Sequence, residues 1–425
     1  MKLVQTITAA FCVLLYTTAC HRGNNITIMN GDDNLTINYS GEIKFNDAET
    51  KIEAISRNGY LKYKRNNKKL LAENDGQGAI KYEMYDNGKR LNSSDAEGNS
   101  FLEDVVKDMI DIGFDAKGRI ERLYRKGGSA AVLDAVGHLK MDNLKSMYFE
   151  YLLMADSLPQ PSIHSIAKKI GSEIGSDYDK GRLLQKFPIE FLRDSLTARA
   201  WFESVKNIGA DYEKANALIY LARQPLSKEQ FNQTVDVTNT IGSDYEKANV
   251  LKVLIFKNSF GEENFNKTLD AVNFVGADYE KSNLLKALIE KEKPSADHFS
   301  KLIDVTEHVG ADYNKTELIK QLIETGLPDS AGFVKLVRAV SHTGSEYDKA
   351  NLLKDIVTRN LKTDEEWVTI LSAAAAINSD NDKSNFLVSI APDLPKSEEV
   401  KTAYMKAART ISQEWDLGRA VKAVQ

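Results

Sequence analysis

The stretch Gly242-Ser-Asp-Tyr-Glu-Lys247 occurs seven times in the chain with small changes. The acidic residue at its third position, here called the anchor, recurs at intervals of 34, 33, 34, 34, 34 and 34 residues. One further step reaches Glu414, and one step back from the first anchor reaches Asn143. A constant period over this length predicts an array of stacked structural repeats. The anchors are Asp177, Asp211, Asp244, Asp278, Asp312, Glu346 and Asp380.

Each repeat is predicted to be a pair of helices that meet at this turn. Apolar residues at helical spacing precede and follow the anchor, for example Phe265 and Leu269 before it and Leu284 and Leu288 after it. We expect the turn glycine to end the first helix in the left-handed conformation. The next serine, with an acid three residues later, predicts a capping box for the second helix. The turn tyrosines, such as Tyr245, are expected to be buried wedges between helices.

The predicted fold class is mainly α. An α-solenoid of about eight 34-residue helix-pair repeats occupies residues 141–425, preceded by a small antiparallel β domain, a β-meander over residues 20–91. The strands are indicated by period-two alternation in Asn34–Asn46 and Tyr60–Lys64 and by Asn-Gly turn pairs. Because this domain is small, we expect it to pack on the segment that follows. Residues 92–100 predict a linker and residues 101–140 a helical connector.

The N-terminus predicts a lipoprotein signal peptide over residues 1–19. An apolar run follows Lys2, and Thr17-Thr18-Ala19-Cys20 closes it. Small residues before a cysteine resemble the lipobox of bacterial lipoproteins, which implies lipidation of Cys20. An ordinary secretory signal cut near Ala19 or beyond is the alternative. Lipidation implies the bacterial cell envelope, at the periplasmic face or the outer membrane, with attachment to the membrane through the N-terminal lipid.

Composition and motifs argue against several classes of function. The 56 basic and 61 acidic residues leave a net charge of −5, which indicates no broad surface for nucleic acid. Two cysteines and six histidines without i,i+4 pairs predict no metal site. The sequences Ser165-Ile-Ala-Lys168 and Ser379-Asp380-Asn381 match two motifs of penicillin-recognising enzymes, but the third, Lys-Thr-Gly, is missing. We therefore predict a protein that is not an enzyme and uses no cofactor.

Two family resemblances follow from these motifs. The 34-residue period and the acid-Tyr-acid-Lys-Ala turn that starts at Asp211 resemble tetratricopeptide repeats, although the first helix lacks that family's Trp-Leu-Gly-Tyr pattern. More closely, the chain resembles the regions appended to antirepressor metallopeptidases of the β-lactam-sensor type. Those regions combine a β segment like Gly41-Glu-Ile-Lys-Phe45, a segment like Gly113–Arg122, and Ser-Asp-Tyr helical repeats. The peptidase motif His-Glu-x-x-His does not occur, so the resemblance implies no protease activity.

Two polar positions recur in the repeats and form a candidate binding stripe. A lysine three residues after the anchor either pairs with an acid of its own or the adjacent repeat, or belongs to a basic stripe for an anionic ligand. An asparagine two residues further on either forms a hydrogen-bonding ladder between repeats or clamps an extended peptide backbone. The lysines are Lys180, Lys214, Lys247, Lys281, Lys315, Lys349 and Lys383. The asparagines are Asn216, Asn249, Asn283, Asn351 and Asn385.

These observations predict a non-catalytic lipoprotein of the cell envelope. Its helical solenoid is expected to serve as a scaffold for a protein or peptide partner, because stacked repeats present continuous binding surfaces. The alternative is a sensory or regulatory ectodomain that works with an envelope signalling or proteolytic system, as the second resemblance implies.

Overall fold

The computed structural model describes residues 24–30, 33–155, 158–258, 261–291, 295–359 and 361–425. The predicted signal peptide and Cys20 lie outside these ranges. The chain divides into two compact units, of which the first ends at Ser162 and the second comprises Ile163–Gln425.

Within the described residues, the first unit contains eight strands. Six of them form an antiparallel sheet in the order β1-β2-β5-β6-β7-β8, and β3 and β4 pair separately. The predicted meander is therefore interrupted by a hairpin. Gly41, with φ of +82°, separates two strands within the stretch that alternation marked as one. The strands are β1 (Asn24–Asn30), β2 (Asp33–Ser40), β3 (Ile43–Phe45), β4 (Ile52–Ile55), β5 (Tyr60–Arg65), β6 (Lys68–Asn74), β7 (Ile80–Asp86) and β8 (Lys89–Leu91).

Helix α1 (Ala96–Asp111) completes the core of the sheet. Its buried residues, including Phe101 and Val105, belong to the same apolar cluster as Ile37 and Leu61 of the sheet. The predicted linker is thus wrong from Ala96 onward. The polar residues that suggested a linker include the helix cap, since the Asp95 carboxylate accepts a hydrogen bond from the Gly98 N–H at 2.9 Å. The expectation that the β domain packs on the following segment is confirmed.

Three helices follow α1: α2 (Ala116–Val136), α3 (Asp142–Leu153) and α4 (Gln160–Glu173). Helix α2 is interrupted by non-helical backbone at Gly127 and Gly128. Helix α3 packs on α2 within the first unit. The predicted start of the solenoid at residue 141 is therefore too early.

Eight helices of the second unit, here called the anchor helices, each begin at the acidic residue marked by the 34-residue period. This prediction is confirmed at every anchor, including Glu414. The anchor helices are α5 (Asp177–Lys186), α8 (Asp211–Ala222), α10 (Asp244–Lys257), α12 (Asp278–Lys291), α14 (Asp312–Thr325), α16 (Glu346–Val357), α18 (Asp380–Ile390) and α20 (Glu414–Lys422).

Seven intervening helices alternate with the anchor helices, and a short helix α6 (Pro188–Phe191) follows α5. Each anchor helix packs on the next anchor helix, and each intervening helix packs on the next intervening helix. The apolar faces of the two rows meet in a continuous core, so the mainly α solenoid is confirmed. The intervening helices are α7 (Ser195–Lys206), α9 (Lys228–Thr238), α11 (Glu262–Asn273), α13 (Ala296–Glu307), α15 (Ser330–Ser341), α17 (Asp364–Ala375) and α19 (Glu398–Ala408).

This repeat-by-repeat packing predicts how the second unit responds to deletions. Removing residues 244–277, one whole repeat, should leave a folded helical protein of lower stability, because each repeat contacts mainly its neighbours. Removing residues 244–260 alone deletes α10 and leaves α11 without the anchor helix that precedes it, which should abolish cooperative unfolding. Circular dichroism during urea denaturation measures both. Equal tolerance of the two deletions would contradict a modular array.

Candidate binding surface on the anchor helices

An anchor carboxylate joins one repeat to the next at Asp177, Asp211, Asp244, Asp278, Glu346 and Asp380. The Gly276 N–H donates to Asp244 Oδ1 at 3.0 Å, and the Ala277 N–H donates to Asp244 Oδ2 at 2.8 Å. These two groups lie immediately before helix α12, where backbone N–H groups lack helical partners. Hydrogen bonds to an ionised carboxylate are stronger than those between neutral groups. We call this arrangement the anchor clamp.

The clamp recurs along the array with small variations. At α16 the anchor is a glutamate, and Glu346 accepts the Asn378 N–H at 2.7 Å. Burial disfavours the Glu346 carboxylate, but hydrogen bonds from Lys349 and Asn378 outweigh it, and its pKa is lowered from 4.5. The same two backbone positions donate to Asp177 from Gly209 and Ala210, to Asp211 from Gly242 and Ser243, and to Asp380 from Ser412 and Gln413.

The clamp explains the turn glycine. None of the described glycines at this position has a positive φ, so the predicted left-handed cap is wrong. The reason is instead the close approach of the carboxylate. A Cβ on Gly276 would lie 2.9 Å from Asp244 Oδ2, and one on Gly310 would lie 2.9 Å from Asp278 Oδ2. Glycine is favoured because a side chain would press on the clamp.

Of the two hydrogen bonds in the predicted capping box, one is present. Ser243 Oγ accepts the Glu246 N–H at 3.3 Å, as an N-cap residue should. The reciprocal bond of a capping box would run from the Ser243 N–H to Glu246, but this N–H donates to Asp211 of the preceding repeat at 2.8 Å. The anchor clamp therefore replaces half of the local cap with a contact between repeats.

The lysines three residues after the anchors face inward. Lys180 Nζ donates to the Asn207 carbonyl at 3.3 Å and lies 3.9 Å from Asp177 Oδ1, and Lys383 Nζ donates to Thr410 Oγ1 at 2.7 Å. Five of the seven lysines are buried, which argues against an exposed basic stripe for an anionic ligand. Lys180, Lys214 and Lys383 donate at the ends of intervening helices, and Lys349 pairs with its own anchor, Glu346, at 2.8 Å. The buried members are Lys180, Lys214, Lys247, Lys281 and Lys383, and Lys315 and Lys349 are half-buried.

The turn tyrosines are exposed, which overturns the expectation that they are buried wedges. Their exposed fractions lie between 61% and 75%. The buried face of each anchor helix is formed by positions such as Leu251 and Leu254, and the tyrosine one residue after the anchor lies beside that face. The exposed tyrosines are Tyr178, Tyr212, Tyr245, Tyr279, Tyr313 and Tyr347, and Trp415 takes the same position in the last repeat.

The asparagines five residues after the anchors lie one helical turn from these tyrosines on the same side. Asn216, Asn249, Asn283 and Asn351 are half-buried, and across the described ranges their side-chain amides have no hydrogen-bond partner. Asn385 differs, since it donates to Asn381 at 2.8 Å and accepts from Arg419 of the next repeat at 3.1 Å. The predicted ladder between repeats is therefore wrong for the first four, whose amides remain available.

A second lysine row, missed from the sequence, continues this face. It lies eight residues after the anchor, three residues beyond the asparagine position, and its members are exposed or half-buried. The same 34-residue period marks this row, so the signal is present in the sequence. The row consists of Lys252, Lys286, Lys320 and Lys354. Tyrosine, asparagine and lysine at these three positions are here called the Tyr-Asn-Lys face.

Between α16 and α18 the Tyr-Asn-Lys face borders a small groove of about 100 Å³. One wall carries Tyr347, Asn351 and Lys354, and the other carries Asp382 and Asn385. The groove therefore offers an aromatic ring, two amides and charges of both signs along a gap between adjacent repeats.

No family model and no curated protein matches this chain. Among solved structures, it is similar to a circular tandem repeat protein with novel repeat topology and enhanced subunit contact surfaces, at 11% identity and a TM-score of 0.13. That alignment covers 77% of this chain and 65% of the other. It is also similar to a protein from the computational design of self-assembling cyclic homooligomers, at 14% identity and a TM-score of 0.10, over 76% of this chain and 97% of the other.

Within the described ranges, no helix is both long and apolar enough to cross a bilayer. In the same part of the chain, no group of three or more His, Cys, Asp and Glu residues is arranged to hold a metal ion. The absence of an enzymatic activity, a metal and a cofactor stays a prediction.

The anchor clamp predicts a specific loss of stability. Asp244→Ala removes the acceptor of two backbone N–H groups and should lower the free energy of unfolding by about 1–3 kcal/mol. Asp270→Ala, at an exposed acid of α11, is the control and should change it by less than about 0.5 kcal/mol. Urea denaturation measures both, and hydrogen exchange should show faster exchange at Gly276 and Ala277. Equal effects of the two substitutions would contradict the clamp.

The exposure of the turn tyrosines predicts that they contribute little to stability. Tyr245→Ala should change the free energy of unfolding by about 0.5 kcal/mol or less, because its ring is largely in solvent. Phe265→Ala, which removes a buried ring of α11, should cost about 3–5 kcal/mol. Thermal and urea denaturation of the two variants test this contrast, and a loss above about 2 kcal/mol for Tyr245→Ala would refute it.

Proposed function

We propose that the second unit is a non-catalytic scaffold that binds an extended peptide segment of a partner protein along the Tyr-Asn-Lys face. The observation that carries this proposal is the set of unpaired amides beside exposed tyrosines on helices α8, α10, α12 and α16, while α14 has Glu317 at the same position. The tyrosine rings lie mostly in solvent, and the four amides form no hydrogen bond within the described residues. Stability alone therefore gives no reason for these residue types at a constant period.

The chemistry of the face suits a polypeptide backbone. An asparagine amide offers a donor and an acceptor together, which matches a peptide unit without reading its side chain. Tyrosine supplies a rigid apolar ring with a polar end, a combination enriched at protein interfaces. In the groove, Lys354 and Asp382 contribute opposite charges, so it has no net preference for an anion or a cation.

The spacing of the repeats suits an extended chain. Packed helices lie about 8–10 Å apart, and an extended backbone advances about 3.3 Å per residue. One repeat therefore accommodates about three residues of the partner, and a segment of about a dozen residues would contact four repeats. Weak contacts at successive repeats add up along such a segment, which gives affinity without a deep pocket.

We further propose that the protein is a lipoprotein of the bacterial cell envelope, anchored through Cys20, as the lipobox-like sequence suggests. The resemblance to regions appended to antirepressor metallopeptidases supports a second candidate function, a sensory or regulatory ectodomain. The two candidates share the peptide-binding face and differ in the partner. A partner that belongs to an envelope signalling or proteolytic system would favour the regulatory function.

The peptide-binding proposal is tested with a library of unstructured 15-residue peptides. Peptides selected on the wild-type chain should bind the Asn249→Ala, Asn283→Ala double variant at least tenfold more weakly, because two amide contacts are lost. Its melting temperature should stay nearly unchanged, since these amides have no internal partner. The control is Asn207→Ala with Asn239→Ala, two exposed asparagines at the ends of α7 and α9, which should bind like wild type.

Two results would contradict the proposal. In the first, the double variant binds as well as wild type, which shows that the peptides use another surface. In the second, the double variant loses about 1–3 kcal/mol of stability and keeps its affinity for the peptides. This result would support the hypothesis of a hydrogen-bonding ladder between repeats.

The membrane anchor is tested separately. In a bacterial host, the mature N-terminus should carry the mass of a diacylglycerol-modified cysteine, and the protein should sediment with membranes. Cys20→Ser should abolish the added mass and release most of the protein from the membrane fraction, because the acyl chains supply the anchoring energy. An unchanged N-terminal mass in the variant would refute lipidation at this residue.

A further inference from the structure

The outward face of the six-stranded sheet carries a line of cations. These residues belong to the first unit and are not part of the Tyr-Asn-Lys face. The strand register places Lys64 opposite Lys69, Lys69 opposite Tyr85, and Tyr85 opposite Arg90. Residues directly opposite in a sheet project from the same face, so these four side chains form one line across β5 to β8. Lys64, Lys69 and Arg90 are exposed, and Tyr85 is half-buried.

Neighbouring cations on the same strands are used differently. Arg65, Lys68 and Lys89 project from the opposite face, and each pairs with an acid of helix α1. The nitrogen–oxygen distances are 2.5 Å to Asp108, 2.7 Å to Asp104 and 2.6 Å to Glu97, respectively. The inward cations thus hold the helix on the sheet.

The outward line has no such acids. Lys64 and Lys69 lie directly opposite one another, an arrangement of like charges that destabilises a sheet. Across the residues that the structure describes, neither lysine nor Arg90 has an ion-pair partner. An anion bound at this exposed face would remove the repulsion between the two lysines.

An open pocket of about 610 Å³ lies on this line. Its walls are Lys64, Lys69, Tyr85 and the residues of the two adjacent turns, and its lining contains no carboxylate. Asn67 Nδ2 donates to Asn87 Oδ1 at 2.9 Å and so connects the turns. The wider face adds the cations Lys62 and Lys81 and the acids Glu73 and Glu83, so the excess of three positive charges is kept. This face therefore carries five cations and two acids, although the net charge of the whole chain is −5.

We propose that this face binds the phosphate groups of anionic lipid headgroups. The line from Lys64 to Arg90 crosses three strand spacings, about 14 Å, which is wider than a single phosphate and suits several headgroups side by side. Phosphate on a bilayer surface is therefore favoured over a free phosphate ion. Each basic residue close to an anionic surface strengthens binding about fivefold.

The proposed lipid anchor, on which this step of the inference rests, would place the cationic face near the membrane. Only three residues lie between Cys20 and Asn24, where β1 begins, and the four residue steps span at most about 14 Å. A lipid on Cys20 would hold the sheet next to the bilayer surface, within two Debye lengths of the headgroups at physiological salt. The acyl chains would anchor the protein in the membrane. The cationic face would orient the first unit on the membrane surface.

The test uses the mature chain from residue 20 with Cys20→Ser, so that no acyl chain contributes. Cosedimentation with vesicles should show binding to mixtures of phosphatidylglycerol and phosphatidylcholine, weak binding to phosphatidylcholine alone, and release by salt. The variant with Lys64→Gln, Lys69→Gln and Arg90→Gln should bind about a hundredfold more weakly. The control with Arg57→Gln, Lys107→Gln and Lys117→Gln changes the net charge equally at other exposed cations and should bind within about threefold of the unsubstituted chain.

Three outcomes would overturn the inference. Equal weakening of the two triple variants would show a non-specific effect of net charge. Equal binding to both vesicle types would show that phosphate charge is not recognised. Release from the vesicles by millimolar inorganic phosphate at constant ionic strength would show a single-ion site. Because the chain used carries no lipid, these results are independent of the N-terminal mass measurement, which alone decides whether Cys20 is acylated.

Discussion

The array depends on a carboxylate of one repeat that accepts two backbone N–H groups of the next. These N–H groups stand at the entrance to a helix, where the backbone has no partner of its own. Since Asp244 supplies the acceptor from the preceding repeat, α10 stabilises the start of helix α12. The bond is made equally at the 33-residue step, where Gly242 and Ser243 donate to Asp211, and at the 34-residue step, where Gly276 and Ala277 donate to Asp244.

The residues around the clamp divide the turn into an inner and an outer part. The serine caps its own helix, the glycine makes room for the carboxylate, and the lysine reaches the end of an intervening helix. These residues build the array. The tyrosine and the asparagine project to the other side and make no contribution to packing that the structure reveals. A short motif therefore both assembles the repeats and presents a repeated surface, so that lengthening the array lengthens the surface in equal steps.

The first unit follows a different principle. Its strands alternate sides, and alternation places one set of cations against helix α1 and the next set in solvent. The inner set, such as Lys68, finds acids on the helix and stabilises the unit. The outer set, such as Lys69, finds none. The same residue type thus serves packing or recognition according to the side of the sheet on which it lies.

The period of the acidic anchors determined the helix starts, the number of repeats and the fold class, because each repeat must bury its apolar face against its neighbours and therefore preserves its length. Alternation and Asn-Gly pairs located most strands. The sequence could not show that Asp211 takes over the bond that a capping box would give to Glu246, since this acceptor comes from another repeat. It also could not separate Lys247, which is buried, from Lys252, which is exposed, because both recur with the same period and differ only in their angle around the helix. The contacts between repeats decided which polar residues support the structure and which remain free to bind.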